Sequence, residues 1–381
     1  MSAGQWIQQV TLGWLTYDLT GSSILLGVLN GVRALPFLIV GPSAGVAADR
    51  MDRRRLLLGI QVLLLVSAVM MGVIVSSGGI ALWHIFAFSV ITATLWSVNQ
   101  PLRQTLVANV VPRHDLMNAV ALNSLGFNMT KVVGPALGGI LIAAFGPGGN
   151  FYVQAVAYIG VLAAIFAMRP PPQIAPAEQA SAFADLKEGL AYVRSTPVVL
   201  ALMISALVPN IFAMPYQALM PVFQKDVLRV GPEALGLMLA APGVGAVVAA
   251  LILASIAAQV RRKGMLLLVA LNLLGVSLIS FSQITSLPLA LVALAGVGAC
   301  QILYAATTNT MLQIIVPDAL RGRVTSIYML DHGLSPIGAL MAGVGAHLLG
   351  APTTVAMMGA AVIVLAAGVA WRMPQLRAVE T

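Results

Sequence analysis

Apolar residues run along this chain in blocks far longer than the core helix of a soluble protein needs, and the charged residues collect between the blocks. Stretches 56–102, 132–168 and 264–317 contain no Asp, Glu, Lys or Arg at all. A helix crosses about 30 Å of hydrocarbon in about 20 residues, so each stretch must fold back once. The breaks are legible: Ser-Ser-Gly-Gly at 76–79, Gly-Pro-Gly-Gly at 146–149, and Ser-Leu-Pro at 286–288, where proline cannot continue a helix. The pattern predicts spans at 1–18, 24–48, 56–77, 80–100, 118–145 and 150–168, then at 198–223, 234–258, 265–281, 289–312, 324–349 and 353–371. Segment 169–197 differs. It opens on Pro170-Pro171-Pro172 and continues into a short amphipathic helix with Phe183, Leu186, Leu190 and Val193 on one face, expected at the membrane surface.

Composition narrows the class. Of 381 residues, 59% are hydrophobic and 8% charged, against about 25% charged in a soluble domain. Soluble enzymes, disordered chains and coiled coils are excluded, and a multi-pass helical membrane protein remains. Twenty Lys and Arg face twelve Asp and Glu, a net charge of +8. In a soluble protein that balance would suggest nucleic acid. Here it marks loops facing the anionic cytoplasmic leaflet, with no nucleic-acid partner. The span pattern places Arg50, Arg53, Arg54, Arg55, Arg103, Arg113, Arg169, Lys187, Arg194, Arg261, Arg262, Lys263, Arg321, Arg323, Arg372 and Arg377 on one side, with only Lys225 and Arg229 opposite. The basic side is the cytoplasm, so the linker and the C-terminus are expected there. Cys300 lies in an apolar run and reads as packing. Residues 1–18 carry no basic n-region, so no cleavable signal peptide is expected.

The two halves repeat. Val111-Pro112 leads into the fifth span and Val316-Pro317 into the eleventh, and each span carries a small residue then proline, Gly134-Pro135 and Ser335-Pro336. Both loops lie on the same side, so the repeat is parallel. It predicts a six-helix lobe at 1–168, a cytoplasmic linker at 169–197 and a second six-helix lobe at 198–381, with a substrate path between them.

The loop after the second span reads Gly45-Val-Ala-Ala-Asp49-Arg50-Met-Asp52-Arg53-Arg54-Arg55. It resembles the signature loop of the major facilitator superfamily, with Asp52 in place of a glycine. The resemblance implies an all-α membrane fold of about twelve helices in two lobes. It also implies that Gly45, Asp49, Arg50, Arg53 and Arg54 form a gating motif, Asp49 facing the N-terminal dipole of the eleventh span. The other reading is a solvated basic turn. Gly134-Pro135-Ala-Leu-Gly138-Gly139 resembles the antiporter element of that superfamily, with Ala121 and Thr130 where upstream glycines are expected. Close helix packing is the alternative. Gly13-Trp-Leu-Thr-Tyr-Asp18, Gln100-Pro-Leu-Arg103 and Leu320-Arg-Gly-Arg323-Val resemble the bacterial branch holding enterobactin exporters and macrolide-type efflux proteins. Against that branch the first span starts late, with no basic entry, as though a stretch preceded Met1.

The resemblance also implies that spans one, four, seven and ten line the cavity. They carry Gln5, Gln8, Gln9, Asn99, Gln100, Asn210, Tyr216, Gln217, Gln301, Tyr304 and Asn309. Amides facing lipid are costly, so each either bonds a neighbouring helix or meets substrate. With Trp14, Trp96 and Phe212 they suit a bulky amphipathic substrate better than a sugar or an anion. Arg33, Lys131 and Asp331 are the charges deepest in the spans. At 1.5 Å per residue Arg33 lies about 13 Å from the outer face and Asp331 about 12 Å from the inner one; the resemblance implies that the second span packs on the eleventh, so the two are expected to pair in at least one state, with Asp331 either the candidate proton carrier or half of a static buried pair. No Walker motif is present, His84, His114, His332 and His347 show no metal spacing, and no catalytic residue, metal or cofactor is expected. The expected function is secondary transport in a bacterial inner membrane by a monomer. The action is export of drug- or siderophore-like molecules, driven by protons. Metabolite uptake, or a non-transporting sensor or partner subunit, is the alternative.

Overall fold

The computed structural model describes residues 2–50, 52–110, 115–167, 182–256, 259–260 and 262–377. Among them there is no strand. The first helices are α1 (Ser2–Thr20), α2 (Ser23–Arg50), α3 (Arg53–Ser76), α4 (Leu82–Val110) and α5 (Leu116–Ala167). α5 is two spans in one. At Gly146 the backbone has φ 69 and ψ 173, a region closed to residues with a Cβ. The chain reverses there. Asn150 Nδ2 donates to the Gly138 carbonyl, twelve residues back, at 3.0 Å; in a straight helix those residues would be about 18 Å apart.

By contacts the chain divides into two compact units. The first is Met1–Ala177 with Val230–Ala240. In it α1 and α3 pack on α5, and α2 packs on α4. One core cluster gathers Leu57, Ile60, Leu64, Trp96, Tyr158 and Ile165. A second gathers Leu12, Leu15, Leu29, Met71, Ile85, Phe88 and Phe151, with the Phe88 and Phe151 rings edge-on at 5.4 Å. α3 shows the solvent that the fold requires. Its buried face holds Leu57, Ile60, Gln61, Leu64, Ala68 and Met71, while Val62, Val66, Val69 and Val73 are exposed on the other side. Both stripes are apolar and the one amide is inside, which is the arrangement of a helix in lipid.

The second unit is Glu178–Arg229 with Ala241–Thr381. It begins with α6 (Ala182–Ser195) and α7 (Pro197–Phe212). A 3-10 turn (Met214–Leu219), the short α8 (Met220–Val222) and a π turn (Phe223–Val227) follow. Then come α9 (Pro232–Ile256), whose first turns belong to the first unit, α10 (Lys263–Gln283), α11 (Leu287–Ile315) and α12 (Asp318–Leu330). A 3-10 turn (Asp331–Leu334) leads to α13 (Ser335–Leu349), α14 (Ala351–Arg372) and α15 (Pro374–Arg377). α10 packs on both α11 and α14. Against α14 the backbones nearly touch: a methyl on Gly275 would fall 2.6 Å from the Gly359 carbonyl oxygen.

Among the described residues eight helices are long and apolar enough to cross a membrane, the stretch Asn128–Ala167 being counted once across its reversal. Ser23–Phe37 and Ser335–Leu349 are shorter apolar helices. Two predicted spans are not continuous. The span expected at 198–223 stops being α-helical after Phe212, because Pro215 and Pro221 lack an N–H and crowd the carbonyls four residues earlier. The span expected at 324–349 is interrupted at Asp331–Leu334, just ahead of Pro336. α6 forms as expected; on its predicted face Val193 is buried and Leu190 exposed, Gly189 is buried beside Val193, and the side chains of Phe183 and Leu186 lie outside the described residues. The helix docks on α12, where Glu188 pairs with Arg323 at 2.6 Å and a Gly189 methyl would meet Ile327 at 2.9 Å.

Candidate functional site

The basic loop after α2 is held by its own side chains. Asp52, the departure from the superfamily pattern, is the N-cap of α3; its carboxylate accepts from the Arg54 and Arg55 amides at 2.9 and 3.1 Å. A cap of this kind stabilises a helix by about 1 kcal/mol. Arg54 reaches the far end of α5 and donates from Nε to the Ile165 carbonyl at 3.3 Å and from an Nη to the Phe166 carbonyl. Its guanidinium sits 5.6 Å from the Phe166 ring centroid. A cation on the last carbonyls of a helix complements its dipole. The side chains of Asp49 and Arg50, and the surroundings of Gly45, lie outside the described residues.

The four residues of the antiporter-like element sit in the first arm of α5, and its three glycines face two ways. A methyl on Gly134 would fall 2.7 Å from Trp6 Cβ, and one on Gly138 would fall 3.3 Å from Ile7 Cα, so both serve contact with α1. Gly139 faces the opening turns of α9. A methyl there would lie 2.7 Å from both the Gly236 nitrogen and the Pro232 carbonyl oxygen. Two backbones thus cross without a side chain between them, and Pro135 lies buried beside them. Asn150 reinforces the turn, donating to Thr11 Oγ1 at 2.7 Å as well as to Gly138.

Beside this packing lies a cavity of about 240 Å³ within the first unit. Its walls are Gln5, Gln8 and Gln9 from α1, Asn30, Arg33, Ala34 and Phe37 from α2, and Thr92, Ala93 and Trp96 from α4. A polar chain fixes one wall. Gln8 Nε2 donates to Thr92 Oγ1 at 2.9 Å, and that hydroxyl donates to the Phe88 carbonyl at 2.8 Å. Gln154 Nε2 lies 2.9 Å from Gln8 Oε1, 3.1 Å from Tyr158 Oη and 3.2 Å from the Gly4 carbonyl. Gln8, Thr92 and Gln154 are all buried. Their bonds orient the Gln8 carboxamide and leave Gln5 and Gln9 as the adaptable amides of the wall.

The candidate lining residues therefore separate. Gln8 and Gln9 line this cavity; Asn99 is buried elsewhere, 3.5 Å from Gln61 Nε2, and Gln100 is half-buried off the cavity wall. In the second unit Gln301 points its Nε2 at Met214 Sδ, 3.3 Å away, Asn210 and Tyr304 are buried, Gln217 is half-buried and Asn309 is exposed. Of the deep charges, Arg33 lines the cavity, Lys131 is on the exposed side of α5, and the Asp331 side chain lies outside the described residues. Asn30, Thr92 and Gln154 were not among the residues expected to build the site.

Over residues 1–381 the chain matches the family described as transmembrane secretion effector. It is 28% identical to the staphyloferrin A transporter of Staphylococcus aureus, across 94% of this chain and 90% of that one. It is also 28% identical to the multidrug efflux pump Tap of Mycolicibacterium fortuitum, across 99% and 94%. The inward-facing, unoccupied structure of a bacterial homologue of the human lysosomal transporter Spinster superposes with a TM-score of 0.72 over 99% of this chain and 95% of that one, a likeness of fold at 15% identity. With its lipid-facing apolar stripes and buried amides, the chain belongs to the transmembrane secretion effector family of the major facilitator superfamily, and it is a multi-pass membrane transporter of small molecules.

Proposed function

We propose that this transporter exports amphipathic small molecules, drug- or siderophore-like, across a bacterial plasma membrane in exchange for protons. The cavity carries the reading. It combines the amides of Gln5, Gln8 and Gln9 with the rings of Phe37 and Trp96, and such a wall accepts an apolar body with scattered polar groups. The relatives named as a multidrug efflux pump and a siderophore transporter support the same substrate range. In this reading the protein works as a monomer, and residues 1–168 and 198–381 act as the two lobes of an alternating-access cycle. The linker and C-terminus face the cytoplasm, the Gly45–Asp49–Arg50–Arg53–Arg54 loop gates the cycle, and Asp331 carries the proton.

The test is expression in a bacterial host stripped of its own efflux pumps, challenged with a panel of amphipathic drugs and iron chelators. Export predicts lower cell-associated levels of a subset of the panel, restored to control levels when the proton gradient is collapsed. Higher cell-associated levels on expression would establish uptake instead.

A further inference from the structure

Arg33 stands ten residues into α2, which begins at Ser23. That is about 15 Å along the helix, the middle of a hydrocarbon core of about 30 Å. A guanidinium at that depth is costly unless it meets water or an anion. It lines the cavity of the first unit. None of the cavity's walls is acidic, and among the described residues no carboxylate lies within ion-pair reach of it. Around it the wall offers hydrogen-bond donors: Gln5 and Gln9 carry amide N–H groups, and Gln8 is held in place by Thr92 and Gln154. Among the described residues the site has positive charge, donors, two aromatic rings and no carboxylate.

We propose that Arg33 receives a carboxylate borne by the transported molecule. The planar fork of a guanidinium matches a carboxylate in two parallel N–H···O bonds, and the adjacent amides of Gln5 and Gln9 complete the donor set. The cavity volume of about 240 Å³ holds about eight waters, so it takes an anionic head group and the adjoining part of the apolar body against Phe37 and Trp96, the rest of the molecule extending beyond it. Arg33 thereby selects amphipathic acids over their neutral or cationic counterparts. The inference rests on the export reading for its physiological direction, but recognition itself is measurable as binding.

The experiment uses the full chain in lipid nanodiscs and a matched pair of fluorescent probes, dansyl-phenylalanine and its methyl ester, which differ only in the charged group. Wild-type protein is expected to bind the acid about tenfold or more tighter than the ester, the range of a charge-assisted hydrogen bond. In Arg33→Gln the preference should vanish, acid and ester binding alike, with folding of the variant read independently from its thermal melting. Arg33→Lys should keep part of the preference. An acid preference that survives Arg33→Gln, or its absence in wild type, overturns the proposal. The export reading fails separately, if no probe in the drug and chelator panel is expelled.

Discussion

The two proline-bearing helices of the internal repeat begin from the same signal and end differently. Gly134-Pro135 lies within an unbroken arm of α5, whereas Ser335-Pro336 opens α13 after the helix has loosened into a 3-10 turn at Asp331–Leu334. Proline weakens either helix by removing a donor and crowding the carbonyl four residues back. The difference lies in what surrounds it. Gly134 and Gly138 are pressed against α1, and Gly139 meets the α9 backbone, so packing holds the arm in line through Pro135. Ahead of Pro336 the turn contains Gly333, a poor helix former, and it packs on α7, while α13 beyond it packs on the Met214–Leu219 turn. A proline in a span therefore marks a place where neighbours decide between a straight helix and a hinge.

The most disruptive change to this contrast is at the backbone crossing. Gly139→Leu would place a side chain where even a methyl meets the Gly236 nitrogen at 2.7 Å. It should cost about 3 kcal/mol or more and abolish recovery of folded protein in detergent. Gly160→Leu, where nothing lies within 4 Å, should behave as wild type. Equal yields of the two variants would mean that the crossing does not hold α5 in line.

A smaller effect is expected at the polar chain. Gln154→Leu leaves Gln8 Oε1 without its partner and removes one hydrogen bond of Tyr158. It should lower thermal stability by about 1 kcal/mol and loosen the Gln8 wall of the cavity, weakening substrate binding. Unchanged melting and unchanged binding would make the chain incidental.

The smallest effect concerns the α3 cap. Asp52→Ala should cost about 1 kcal/mol and Asp52→Gly, which restores the superfamily residue, only a few tenths. Denaturation of the two variants side by side reads the difference, and an alanine variant as stable as the glycine one would remove the cap from the account.

Much of this was legible in the chain. The reversal at 146–149 could be read because glycine and proline cluster there, between two apolar runs that are together too long for one crossing. The interruption at 331–334 could not, since Ser335-Pro336 looks like its copy at Gly134-Pro135 and only tertiary contacts separate them. Within the site, Gln8 and Gln9 were visible as amides in an apolar helix. Gln154 could not be read, because it lies in the sixth span, outside those that the resemblance implies line the path, and acts by fixing Gln8. Thr92 was hidden by its own chemistry, since a threonine in a span ordinarily satisfies itself on the carbonyl four residues back; here it does so and accepts from Gln8 as well. Arg33 was seen as a deep charge, but its place on a cavity wall depends on the angle between α1, α2 and α4, which no pattern along one helix contains.

Proton-coupled export is tested most directly in inside-out membrane vesicles from cells expressing the chain, loaded with an acidic interior and offered an amphipathic drug from the outside. Drug is expected to accumulate in the vesicles with simultaneous loss of the proton gradient. Both effects should be absent in Asp331→Asn, which should still equilibrate the drug down its own gradient. Accumulation by Asp331→Asn at the wild-type level, or accumulation by wild type that persists after the proton gradient is dissipated, would contradict this expectation.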